Sequence, residues 1–156
     1  RDPRDVAVSY SKHFNHSLKV ATDKLNNDKL INLQPEDRKR GEFLSSWKNH
    51  VTGWKNSQIP VYIVKYEDFI ENPYENISFI LEFLKISPVI NISEILDLTN
   101  FENLSKLEKQ TGFIEASSHS NFFRKGAKSQ WKRIPSKSFK TIENNNAQIM
   151  KELGYL

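Results

Sequence analysis

The chain has 156 residues, 37% of them hydrophobic and 12% aromatic, enough apolar material for one domain with its own core and too much for a disordered tail. Twenty-three Lys and Arg against nineteen Asp and Glu leave a formal charge of +4, a mild basic excess that suits an anionic ligand without requiring a nucleic acid. The lack of cysteine excludes disulfide scaffolds, Cys-ligated zinc and thiol nucleophiles, and leans toward an intracellular compartment. The longest apolar runs, such as Val61-Tyr62-Ile63-Val64, are a few residues long, against the roughly 20 needed to cross a bilayer, so no membrane segment is expected. The chain opens on Arg1-Asp2-Pro3-Arg4-Asp5 with neither a methionine nor an apolar leader, and reads as a piece of a longer chain.

Asp2 before Pro3 is a helix start, with Val6, Tyr10 and Phe14 recurring four apart behind it, and predicts a helix over about 3–16. Residues 21–40 are polar around Gln34-Pro35-Glu36-Asp37 and read as a loop. Phe43, Leu44, Trp47, Val51 and Trp54 then keep helical spacing to about 56. After Pro60, the β-branched and aromatic run Val61-Tyr62-Ile63-Val64 predicts a buried central strand. Ile77, Ile80, Leu81 and Leu84 give another amphipathic helix, so strand and helix alternate as in a βα unit with a parallel sheet.

Short helices are predicted near 91–98 and 101–110 from Ile92, Ile95 and Leu96 and from Phe101, Leu104 and Leu107, the second capped by Asn100. Residues 111–136, with Phe122-Phe123-Arg124-Lys125-Gly126 among them, read as a long surface loop of the kind that carries function. From Ser136 onward, Phe139, Ile142, Ile149, Met150 and Leu153 share one helix face and Gly154 is the stop.

Two segments could bind an anion. Arg1 to Asp5 sits at a helix N-terminus, where unpaired amides and the positive end of the dipole favour phosphate, with Ser9 further along the same helix; a capped helix with solvated arginines explains the segment as well. Arg124-Lys125-Gly126 sets two positive charges beside a residue without a Cβ, so a phosphate could reach backbone amides as well as the guanidinium fork. The neighbouring Phe122, Phe123 and Trp131 argue against a purely solvated loop, though a charge pair beside a glycine is commonly just that.

Five segments taken together resemble, in order and content, the C-terminal half of the sulfotransferases that use 3′-phosphoadenosine 5′-phosphosulfate (PAPS), particularly the cytosolic type. They are RDPRDVAVSYSKH from Arg1, WKNHVTGW from Trp47, VKYEDFIENP from Val64, ILEFLKI from Ile80, and FFRKGAKSQWK from Phe122. The last resembles the RKGxxGxWK signature. The resemblance implies an α/β, helix-rich, parallel-sheet, P-loop-like sulfotransferase fold, with residues 1–156 the C-terminal part of a single domain, here lacking its N-terminal strand and phosphosulfate loop. It also implies that Arg1 and Ser9 bind the 3′-phosphate and that Arg124, Lys125 and Gly126 close over it. Tyr66 would contact adenosine, Thr99 the adenine edge and Phe101 the base face, with Phe123 lining the same cleft. Each aromatic, read alone, is as well explained by ordinary packing.

The departures are Ser129 where the signature has a second glycine and Gln130 where it often has an acid, so the loop end is expected to be less tightly turned or less well anchored. The C-terminal dimer pattern is not kept through Lys132 to Thr141, which leaves dimerisation without support. The family's catalytic histidine and phosphosulfate-binding lysine precede the arginine motif. The glycines at 41, 53, 112, 126 and 154 make no phosphate loop, and His13, His16, His50 and His119 lack a third ligand or acidic partner. The resemblance therefore implies a cytoplasmic enzyme that moves a sulfuryl group from PAPS to a hydroxyl or amine of a small molecule, with no metal, nucleic acid or membrane involved. These 156 residues are expected to supply the nucleotide half and to be inactive alone. The alternative is a non-catalytic nucleotide-binding or interaction module of the same fold.

Overall fold

The computed structural model describes residues 1–33, 41–117 and 119–156. They divide into two compact units, one of Asp2–Val61 with Ser129–Leu156 and one of Arg1 with Tyr62–Lys128.

In the first of these units, helix α1, Pro3–His13, starts because the Asp2 carboxylate accepts from the Arg4 amide at 2.9 Å and Pro3 occupies the first turn. Helix α2, Leu18–Leu25, lies where a polar loop was expected. Its buried face is Ala21, Thr22 and Leu25, so the helical period is carried by small or hydroxylated residues among Lys, Asp and Asn. Strands β1, Ile31–Leu33, and β2, Gly41–Phe43, pair antiparallel with Ile31 opposite Phe43 and Leu33 opposite Gly41. Three residues apiece are too few for alternation to register in the sequence. The part of the expected loop around Gln34-Pro35-Glu36-Asp37 lies outside the described residues.

Helix α3, Trp47–Lys55, begins four residues after Phe43, because residues 41–43 pair with β1 and Ser46 supplies the cap, accepting from the Asn49 amide at 3.3 Å. A 3₁₀ turn at Ser136–Phe139 leads into α8, Lys140–Glu152, and Gly154 ends it at φ +75°. Phe139, Ile142 and Met150 are fully buried and pack with Ile149, Ala7, Val8, Leu25 and Trp47 as the core. Full burial of side chains of this size contributes roughly 1.5–3 kcal/mol each.

The other unit is helical: α4 Tyr66–Glu71, α5 Pro73–Leu84, α6 Ile92–Leu98 and α7 Phe101–Thr111. Asn72-Pro73 separates α4 from α5, and Lys85 closes α5 in the left-handed conformation. Asn91 and Asn100 cap α6 and α7 by accepting from the Ser93 and Asn103 amides, each at 2.9 Å. On α7 the inward side chains are Leu104, Ser105 and Glu108, whereas Leu107, expected on the apolar face, is 53% exposed.

The strand expected at residues 61–64 is not formed. Among the described residues that run is extended without a ladder partner, and the only named sheet is the antiparallel β1–β2 pair. A parallel strand needs neighbouring strands on its edges, and no other described segment supplies one, so the parallel sheet is likewise not formed here. Val61, Tyr62 and Ile63 are left 36%, 42% and 45% exposed. Among its described residues the expected loop over 111–136 begins on the last residue of α7 and ends on the first of the Ser136–Phe139 turn, and between them is irregular apart from an isolated Ser117–Ser120 bridge and a 3₁₀ turn at Gln130–Arg133. Among the described residues, no helix is long and apolar enough to cross a membrane.

Candidate functional site

Residues far apart in sequence meet around the loop before Lys128. Arg1 donates from Nη2 to the Ala127 carbonyl at 2.9 Å, and its guanidinium carbon lies 4.4 Å from the Tyr66 ring centroid at the start of α4. Neighbouring Gly126 has φ +57°, and a Cβ there would fall 2.4 Å from Cδ2 of Phe101. Only a residue without a side chain lets the loop backbone reach that ring. Phe101, the first residue of α7, is 37% exposed and meets Phe123 edge-on at 6.4 Å. Phe123 also contacts Phe113 and Phe122 at 5.2 Å each. Arg1, Tyr66, Phe101, Phe123 and Gly126 therefore form one connected cluster, with Arg124 half-buried and Lys125 exposed in the loop between the last two.

Thr99 is the cap residue after α6, and its hydroxyl donates to the Ile95 carbonyl at 2.7 Å. The hydroxyl oxygen keeps its acceptor capacity. Ser9 belongs to the other unit, half-buried on α1.

In that unit the expectation of a loosely held loop end is overturned. Ser129 adopts φ +57°, ψ 28°, the left-handed conformation that a glycine there would favour. Its amide donates to Oδ2 of Asp5 at 2.6 Å, and the Trp131 amide donates to Oδ1 at 2.9 Å. Asp5 is fully buried, and two charge-assisted bonds from backbone amides compensate its desolvation. A carboxylate from α1 thus holds the turn in place although Ser129 is in a left-handed conformation.

Nor are the arginines of the opening segment simply solvated. Arg4 is 5% exposed. Its Nε and Nη2 donate to the Asp2 carboxylate at 2.8–3.2 Å, Nη2 also donates to the Tyr155 carbonyl at 2.7 Å, and Nη1 donates to Glu143 at 3.0 Å. The Trp131 ring centroid lies 3.7 Å from its guanidinium carbon. Burial alone would lower the Arg4 pKa, but the hydrogen bonds and charges of Asp2 and Glu143 outweigh it and raise the pKa above its ordinary value. Arg4 is a structural cation, and Arg1 is the arginine of the pair that joins the loop cluster.

Sequence reasoning missed Asp5 and Glu108. Asp5 stands inside the quoted arginine motif, and Glu108 falls seven residues after Phe101 on the inward stripe of α7, where a charge is out of pattern. Among the described residues, no group of three or more His, Asp or Glu side chains is arranged to hold a metal. A cavity of about 190 Å³ lined by Asn26, Asp28, Ser46, Lys48, Asn145 and Asn146 contains none of the expected site residues.

A family model described as the sulfotransferase domain matches residues 1–154. Sulfotransferase 1A1 of Bos taurus is 34% identical over 142 residues, covering 85% of this chain and 46% of that protein. Sulfotransferase 1B1 of Canis lupus familiaris is 31% identical over 152 residues, with the same coverages. Cytosolic sulfotransferase 6 of Arabidopsis thaliana is 30% identical over 169 residues, covering 97% of this chain and 48% of that protein. The chain spans about half the length of the curated relatives it matches. With a family match over residues 1–154, the chain belongs to the sulfotransferase domain family, an α/β fold represented here by a helix-rich part.

Proposed function

We propose that this chain forms the nucleotide end of a sulfotransferase donor site, and that the whole protein moves the sulfuryl group of PAPS to a hydroxyl or amine of a small-molecule acceptor. The observation that carries this reading is the adjacency of Gly126 and Phe101, because it sets a residue without a side chain, directly after Arg124 and Lys125, against a partly exposed aromatic ring. Such a combination suits a phosphorylated nucleoside, whose base stacks and whose phosphate takes amides and guanidinium together.

In this reading Arg1, Arg124 and Lys125 hold the 3′-phosphate, and Gly126 lets its oxygens approach the backbone. Phe101 stacks on the adenine, Tyr66 contacts the adenosine, and Phe123 walls the cleft. The Thr99 hydroxyl, already donating to Ile95, serves as an acceptor, which matches the exocyclic amino group of adenine. PAPS, when bound, supplies an activated sulfuryl group with adenosine 3′,5′-bisphosphate as the leaving part. The cations assigned here orient that leaving part and offset its charge. Neither a metal nor a nucleic acid has a role in this reading.

The exposed Val61, Tyr62 and Ile63 support a finer proposal, that this run becomes an inner strand of a parallel sheet completed by the rest of the domain. The family's catalytic histidine and phosphosulfate lysine belong to that remaining part, so residues 1–156 bind the nucleotide without transferring sulfate. The likeness to cytosolic sulfotransferase 6 of Arabidopsis thaliana supports a cytosolic setting.

The test offers labelled PAPS and a small phenol or amine to the isolated chain and to the whole gene product. The expected result is transfer by the whole gene product only, with adenosine 3′,5′-bisphosphate bound by both. Transfer by the isolated chain would overturn the division of labour. A whole gene product that binds the nucleotide but sulfates neither acceptor class would overturn the enzyme reading.

A further inference from the structure

The loop carrying Arg124 and Lys125 has little regular backbone bonding of its own. Within it, the Arg124 amide donates to the Phe122 carbonyl at 2.9 Å. Its entry is held by a side chain fourteen residues upstream. Glu108, 7% exposed on the inward stripe of α7, accepts from the Phe122 amide at 2.6 Å on Oε1 and from the Phe123 amide at 3.0 Å on Oε2. Both carboxylate oxygens are thereby engaged by consecutive backbone amides immediately before Arg124.

We propose that Glu108 is a positioning residue for the donor loop: its carboxylate pins the Phe122 and Phe123 amides and so sets where Arg124 and Lys125 stand for a 3′-phosphate. A buried carboxylate retains its charge when hydrogen bonds replace lost water, and two amides on two oxygens do so with fixed geometry. Both oxygens face the backbone amides of Phe122 and Phe123, so the effect of Glu108 on a ligand passes through the loop. The aromatic contacts of Phe113 with Phe122 at 4.9 Å and with Phe123 at 5.2 Å hold the same two residues from their side chains. Glu108 thus fixes the backbone and Phe113 the rings, leaving Arg124 and Lys125 as a short span between that anchor and Gly126.

This inference rests on the donor-site reading above, and the experiment separates the two. Dissociation constants for adenosine 3′,5′-bisphosphate and for 5′-AMP are measured on the wild-type chain, Glu108→Gln, Arg124→Ala and the double variant. The glutamine has one acceptor oxygen and turns an NH₂ donor toward the second amide. The expected result is a loss of tenfold or more in bisphosphate affinity for Glu108→Gln, less than twofold for 5′-AMP, and a combined loss for Glu108→Gln with Arg124→Ala clearly smaller than the product of the two single losses, the remainder passing through Lys125.

Equal weakening of both nucleotides, or an unchanged preference, would overturn the positioning role while leaving the donor-site reading intact. A wild-type chain that does not prefer the bisphosphate would overturn the donor-site reading and, with it, this role. Should Glu108→Gln fail to fold, hydrogen exchange in the wild-type chain decides. Phe122 and Phe123 amides that are protected, and more so with bisphosphate, support the anchor; exchange at the unstructured rate overturns it.

Discussion

Gly126 lies so close to the Phe101 ring that a methyl group in place of its hydrogen would stand 2.4 Å from Cδ2. The contact fixes the loop backbone against the ring proposed to stack on adenine. Gly126→Ala is expected to cost about 1–2 kcal/mol from its left-handed backbone alone, with a further loss from displacing the ring. Thermal unfolding would read the destabilisation, and calorimetry with adenosine 3′,5′-bisphosphate should show binding lost. Unchanged binding would separate Gly126 from the site.

Ser129 adopts the left-handed backbone at φ +57° without being glycine. Ser129→Gly should relieve that strain, worth about 1–2 kcal/mol, offset in part by the freedom glycine adds to the unfolded state, for a net stabilisation of about 0.5–1 kcal/mol. Ser129→Ala should gain nothing. Chemical denaturation of the three chains distinguishes these outcomes, and equal stability of all three would remove the strain argument.

Asp5 offers one oxygen to each of the Ser129 and Trp131 amides. An asparagine can serve only one of them, so Asp5→Asn is expected to lose about 1–3 kcal/mol through a buried amide left unsatisfied. Denaturant midpoints check the loss, and amide exchange should rise at Ser129 or Trp131.

Arg4 joins Asp2, Glu143 and the Tyr155 carbonyl through one buried fork. Arg4→Ala leaves Asp2 without that partner and should cost roughly 3–5 kcal/mol, of which Arg4→Lys restores less than half for want of planar geometry. The folded pKa is raised, so the contribution is fully present below the unfolded value and declines only as pH rises through the folded one. The variant's deficit should therefore show no loss between neutral and mildly alkaline pH, as urea titrations at several pH values would show.

Much of this was legible in the sequence, and the failures have physical causes. The caps Asp2 and Asn100 and the apolar stripe of α8 announce their helices because capping and core periodicity are local. Helix α2 was hidden because its inward face uses Ala21 and Thr22. Residues 61–64 look like a strand because their β-branched and aromatic side chains suit burial, but a ladder needs partners that propensity does not provide. In the candidate site, the resemblance brought Arg1, Tyr66, Phe101, Phe123 and Gly126 forward as site residues. Glu108 and Asp5 escaped because each acts on backbone amides, which are sequence-blind: any residue at 122 or 129 other than proline offers the same donor.

The most direct test of nucleotide binding is the thermal midpoint of the chain with adenosine 3′,5′-bisphosphate against 5′-AMP, repeated with Arg124→Ala. The two ligands differ by the 3′-phosphate, and a ligand at about 100 times its Kd stabilises by about 2.7 kcal/mol, or roughly 5–10 °C for a chain of this size. The expected result is a shift with the bisphosphate alone, abolished by Arg124→Ala. An equal shift with 5′-AMP, or none with either nucleotide, would contradict the 3′-phosphate site.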